Sequence, residues 1–142
     1  MSVEGISHIT LIVKDLERSV NLFMSVFDAE QVYSSDNQQF SISKEKFFII
    51  GGIWIALMEG PAFPERTYNH IAFKIPASEF DKFKNRLKAA GVECKEDRPR
   101  VKGEGASLYF YDFDNHLFEL HTGTLEERLK TYNKLKTANK AL

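Results

Sequence analysis

Apolar and polar residues alternate along Ser7-His8-Ile9-Thr10-Leu11-Ile12-Val13, placing Ile9, Leu11 and Val13 on one face of a strand and His8 and Thr10 on the other. The pattern returns sixty-two positions later in Asn69-His70-Ile71-Ala72-Phe73-Lys74-Ile75, where Ile71, Phe73 and Ile75 alternate and His70 and Ala72 share the opposite face. After each strand the period lengthens to that of a helix. Asp15 is a good N-cap for the first helix, whose apolar stripe is Leu16, Val20, Phe23 and Phe27. Ser78 is expected to cap the second, with Asp81 at the third helical position as in a capping box, a stripe of Phe80, Phe83 and Leu87, and Gly91 as the stop. Strand-like stretches follow both helices, at 30–33, 39–43, 47–50 and 53–59 in the first half and at 92–96, 107–111 and 117–121 in the second. Asp114-Asn115 marks a tight turn between the last two.

The chain thus repeats one β-α-β-β-β unit. Module one spans 4–60 and module two 67–123; the punctuation of Gly60, Pro61 and Pro64 places a linker at 61–66. A surface helix at 124–138, with Leu125, Leu129 and Tyr132 at helical spacing, closes a single 142-residue domain. The predicted fold class is α+β: paired βαβββ modules, each a four-stranded sheet with a helix on one face, forming a curved mixed sheet whose helix-free faces surround a cavity.

Composition narrows the function. Apolar content of 43% with twelve Phe describes a phenylalanine-rich interior. The net charge of −1 speaks against a nucleic-acid partner. A lone Cys94 excludes an internal disulfide and fits a reducing compartment. The apolar run 6–13 is too short for a signal peptide or a membrane span, so a cytoplasmic protein with no membrane partner is expected.

Candidate chemistry comes from superposing the halves. Ile55-Ala56-Leu57-Met58 matches Phe118-Glu119-Leu120-His121, so His8 corresponds to His70 and Ala56 to Glu119. Glu119 interrupts an otherwise buried strand, where a carboxylate needs a cation or a proton. Two imidazoles and one carboxylate facing a common point suit a divalent cation that keeps open coordination positions, and the methyl of Ala56 leaves the fourth corner vacant. An open shell is a catalytic signature. The remaining histidines differ: His116 follows a turn and is expected in solvent, while His121 shares the face of Glu119 near the strand end.

The repeat, with His8, Tyr68-Asn69-His70-Ile71-Ala72-Phe73 and Tyr109-Phe110-Tyr111-Asp112-Phe113-Asp114-Asn115-His116-Leu117-Phe118-Glu119-Leu120-His121, resembles the vicinal oxygen chelate superfamily of glyoxalases, bleomycin-resistance proteins and extradiol dioxygenases. More narrowly it is similar to the fosfomycin-resistance branch, and within that to the manganese-dependent epoxide hydrolases. The likeness covers roughly residues 5–130. It implies the vicinal oxygen chelate fold and a homodimer with shared active sites, in which His8 of one chain meets His70 and Glu119 of the other around Mn²⁺ or another divalent transition metal. It further implies a hydrolase adding water to the epoxide of fosfomycin, a small phosphonate, to give a diol and antibiotic resistance.

The resemblance also distributes roles. Glu45 corresponds to the hydrolases' general base, although by residue type alone it reads as a solvated carboxylate between Lys44 and Lys46. Phe47 stands where the thiol transferases of the branch carry a tyrosine. Thr10, Ser107, Tyr109 and Arg128 match phosphonate contacts, and Tyr68, in the matched motif beside His70, is a further substrate-binding candidate. Trp54 is either a substrate wall or a core residue. Residues 98–105 do not reproduce the potassium loop of the thiol-using relatives; Arg100 supplies positive charge in its place, with Arg98 and Lys102 as alternatives. Two rival functions stay open: transfer of glutathione or another small thiol to fosfomycin, and non-catalytic drug binding on the same fold.

Overall fold

The computed structural model describes residues 2–95 and 100–140. The chain runs β1 (His8–Val13), α1 (Leu16–Phe27), β2 (Glu30–Ser34), β3 (Glu45–Ile50), β4 (Ile53–Glu59), β5 (His70–Lys74), α2 (Phe80–Ala89), β6 (Cys94–Lys95), β7 (Ser107–Tyr111), β8 (Leu117–His121) and α3 (Leu125–Lys140). The strands form two four-stranded sheets with the same topology, β1-β4-β3-β2 and β5-β8-β7-β6. In each, the first strand lies parallel to the fourth and the other pairings are antiparallel. The structure is α+β, built of two βαβββ units, as the repeat predicts.

Helix α1 holds the two units together. It starts where Asp15 Oδ1 accepts the Arg18 amide at 3.1 Å and ends at Asp28 in the left-handed region (φ 53°). Its stripe buries Leu16, Val20, Phe23, Val26 and Phe27. The Phe23 ring lies 6.2 Å from Phe48 of the first sheet and 5.6 Å, edge-on, from Phe118 of the second. Phe27 adds contacts to Phe73, Phe110 and Phe118 at 5.1 to 5.8 Å between centroids. Such aromatic pairs contribute about 0.5–1.5 kcal/mol each beyond the area they bury. The core-facing residues Leu11, Phe48, Ile55 and Leu57 of one sheet and Leu108, Phe110, Phe118 and Leu120 of the other belong to one cluster. Because strand residues alternate, the opposite face of each sheet looks away from that core.

Three expectations fail. Residues 39–43 form no strand: Ser35 pairs directly with Glu45, closing the β2–β3 ladder and leaving 36–44 as a loop with Phe40 76% and Ile42 86% exposed. The second helix is not capped by Ser78, which lies inside a 3-10 turn (Ala77–Glu79) that precedes Phe80; the cap position is Glu79, with no side-chain cap bond. Gly91 does stop α2 in the left-handed conformation (φ 73°). His116 is not solvated but 6% exposed, with Nδ1 donating to Asp112 Oδ2 at 2.7 Å, because Asp112 also accepts the amides of Asp114 and His116 and folds the turn inward. The strand expected at 92–96 shortens to β6; residue 96 lies outside the described residues.

Candidate metal and phosphonate site

The outward face of the second sheet carries most of the candidate residues. Register places Ala72, Glu119 and Tyr109 in one row, and Lys74, His121 and Ser107 in the next. Glu119 is 6% exposed, yet its carboxylate is well supplied with donors. Ser107 Oγ donates to Oε1 at 2.6 Å and Arg100 Nη2 to the same oxygen at 3.3 Å. Burial alone would push the pKa of this group up; hydrogen bonds from Ser107 and Tyr109 and the nearby His121 and His70 outweigh it and hold the carboxyl below its ordinary range. Tyr109, buried and bonded to Tyr68 and Glu119, is pushed the other way and stays a phenol.

His70 meets Glu119 with Nε2 3.1 Å from Oε2. Its Nδ1 lies 2.7 Å from the Tyr68 carbonyl, which can only accept, so Nδ1 carries the proton. His70 Nε2 is left facing a carboxylate oxygen. Two acceptors so close need a proton or a cation to share, and a nitrogen and an oxygen from neighbouring strands are suitable ligands for a divalent ion. The donor set fits a metal.

Of the basic candidates among the described residues of the stretch 98–102, Arg100 is the one whose side chain reaches the row of Glu119 and Tyr109. Its Nη2 reaches Ser107 Oγ at 2.8 Å and Tyr109 Oη at 3.0 Å, whereas Lys102 is exposed. Arg98 lies outside the described residues. Tyr68 donates to Tyr109 Oη at 3.3 Å. Arg128 reaches the row indirectly: its Nη2 donates to His121 Nε2 at 3.3 Å, and His121 Nδ1 lies 2.6 Å from Ser107 Oγ. With Ser107's single proton on Glu119, His121 must donate from Nδ1 and accept at Nε2, a consistent tautomer. His121 belongs to the site network, and its place two residues past Glu119 was the available signal.

The remaining candidates sit on the outward face of the first sheet. His8, Trp54 and Ile49 share one row, Thr10, Ala56 and Phe47 the next, and Glu45 pairs with Met58 beyond them. The His8 ring lies 4.3 Å from the Trp54 ring, and its Nδ1 is 3.0 Å from Ser7 Oγ. Glu45 is 8% exposed, and among the described residues its carboxylate has no hydrogen-bond or ionic partner; it is not the solvated group its neighbours suggested. His8 and Thr10 are exposed. Within one chain, and among the described residues, no group of three His, Cys, Asp or Glu side chains is placed to hold a metal. Two clefts of about 680 Å³ each lie along the start of α1 and are lined by none of the candidates.

The family model of the Glyoxalase/Bleomycin resistance protein/Dioxygenase superfamily matches residues 5–120. The fosfomycin resistance protein FosX of Listeria monocytogenes is 61% identical, over 92% of this chain and 98% of its own length. The metallothiol transferase FosB of Staphylococcus saprophyticus is 37% identical, over 94% of this chain and 87% of its own. A crystal structure of a Listeria monocytogenes FosX variant, complexed with Mn(II) and 1S,2S-dihydroxypropylphosphonic acid, superimposes with a TM-score of 0.84 at 60% identity, covering 92% of this chain and 98% of that one. Among the described residues, no helix is long and apolar enough to cross a membrane.

Proposed function

The chain belongs to the Glyoxalase/Bleomycin resistance protein/Dioxygenase superfamily and, within it, to the fosfomycin resistance proteins, and on that premise we propose that it is a manganese-dependent epoxide hydrolase that inactivates fosfomycin. The observation that carries the reading is the meeting of His70 Nε2 and Glu119 Oε2 at 3.1 Å, with the other imidazole nitrogen committed to a carbonyl. His70 and Glu119 of one chain and His8 of a second hold the ion; the outward placement of both sheet faces supports a homodimer that brings them together. When bound, the ion supplies Lewis acidity toward the epoxide oxygen.

The protein's own groups do the rest. Arg100, Ser107 and Tyr109 offer donors to phosphonate oxygens, Thr10 adds a hydroxyl from the facing sheet, and Arg128 contributes positive charge through His121. Tyr68 and Trp54 wall the substrate. Glu45 takes a proton from water as the water oxygen bonds to an epoxide carbon and the C–O bond breaks; the former epoxide oxygen takes a proton from solvent, Glu45 returns its own to solvent, and a vicinal diol leaves. A carboxylate with little water around it and no partner suits that role. The lone Cys94 and the absence of long apolar segments support a cytoplasmic setting.

Product analysis in ¹⁸O-labelled water, with Mn²⁺ and with or without added thiol, tests the reading. One labelled oxygen in a diol, formed without thiol, is the expected result. Turnover only with thiol would move the function to thiol transfer, the chemistry named for the FosB relative.

A further inference from the structure

Glu104 is 3% exposed and sits between the arginine of the site and the last helix. Its Oε1 accepts the Val101 amide at 2.9 Å, and its Oε2 accepts the Tyr132 hydroxyl of α3 at 2.7 Å. The same Oε2 lies 3.8 Å from Arg100 Nη1, while Arg100 Nη2 carries the contacts to Ser107, Tyr109 and Glu119. One side of the guanidinium thus faces Glu104 at ion-pair distance, beyond hydrogen-bond reach, and the other side faces the site. The loop also packs closely on α3: a Cβ on Gly103 (φ 95°) would collide with the Thr131 hydroxyl. The helix itself buries no residue in the core. Thr124 and Glu127 fix its first turn by a reciprocal capping box at 3.2 Å each way.

We propose that Glu104 and Tyr132 are positioning residues for Arg100, so that docking of the C-terminal helix sets the guanidinium that receives the phosphonate. A buried carboxylate that already accepts two hydrogen bonds fixes the direction of a planar guanidinium far better than solvent does. The helix acts as a strap on substrate binding and takes no part in the chemical step. The inference rests on the hydrolase reading for its substrate, and on this chain's own contacts for its geometry.

The test uses the full-length, Mn²⁺-loaded protein with the variants Tyr132→Phe, Glu104→Gln, Arg100→Ala and the double variant Tyr132→Phe/Arg100→Ala. Tyr132→Phe should raise KM for fosfomycin about 3- to 10-fold, and Glu104→Gln about 10- to 100-fold, with kcat little changed, because substrate binding is what loosens. Binding of inorganic phosphate, followed by calorimetry, should weaken by similar factors, while Mn²⁺ affinity measured by electron paramagnetic resonance stays put. In the Arg100→Ala background, Tyr132→Phe should have no further effect. Equal effects of Tyr132→Phe with and without Arg100, or a parallel loss of Mn²⁺ affinity, would overturn the proposal by making Tyr132 merely structural. Absence of fosfomycin turnover in the unaltered protein would overturn the hydrolase reading alone, and the phosphate titrations would still decide the relay by the same criterion.

Discussion

Glu119 and Glu45 are both buried carboxylates, and their surroundings give them different work. Donors from Ser107, Tyr109 and Arg100 surround Glu119 and its carboxyl sits below the ordinary range, with His70 Nε2 facing it at 3.1 Å, which supports its proposed role as a metal ligand. Glu45 has no such donors among the described residues, which is why it is proposed as the general base. Replacing Glu119 with Ala should release the metal, seen as lost Mn²⁺ in elemental analysis of the dialysed protein; full occupancy would remove Glu119 from the ligand set. Glu45→Gln should lower kcat by about 10²- to 10⁴-fold, the range supplied by a positioned general base. Mn²⁺ content should persist, and the thermal midpoint should hold or rise, since a buried charge without a partner is being removed. A loss of metal in that variant would instead make Glu45 a ligand.

The elements with strong local signals were legible in the sequence. β1 and β5 announced themselves by alternation and by their likeness, α1 by Asp15 and its stripe, and the last strand by its match to β4. What failed depended on partners that a sequence does not display. The alternation of Phe40 and Ile42 is strand-like, yet in a single chain no neighbouring strand accepts it and both side chains stay exposed. His116 looked like a turn residue because its burial depends on Asp112 capturing two amides and the ring at once. Glu104 and Tyr132 are far apart in the chain, and nothing in their local pattern links them to Arg100. The value of α1 as a two-sided wedge can be measured. Phe23→Ala should cost about 3–5 kcal/mol in denaturant unfolding, as for other buried phenylalanines. The ion pair of Arg86 with Asp28, at 2.8 Å, ties the end of α1 to α2 and holds the Asp28 carboxyl below its ordinary range. A depressed carboxyl stabilises the fold at neutral pH, and that contribution is lost as pH falls through the carboxylate range. Because Asp28 is largely exposed, Asp28→Asn should cost no more than about 1 kcal/mol at pH 7 and nothing once the carboxyl is protonated, read from unfolding curves at both pH values.

At the scale of the whole molecule, the candidate residues lie on two outward faces, and among the described residues of one chain no three metal-ligating side chains come together. His70, Glu119, Ser107, Tyr109 and Arg100 share one, and His8, Thr10, Trp54 and Glu45 the other. The central claim is that a second copy supplies the missing half, His8 from one chain meeting His70 and Glu119 of its partner. Complementation tests it most directly. His8→Ala and Glu119→Ala, each inactive alone, are mixed, unfolded and refolded together. Random pairing makes half the dimers mixed, each with one intact site, so about a quarter of the unaltered activity should return with its share of bound Mn²⁺. Two inactive variants that stay inactive after mixing, despite forming mixed dimers, would contradict the account.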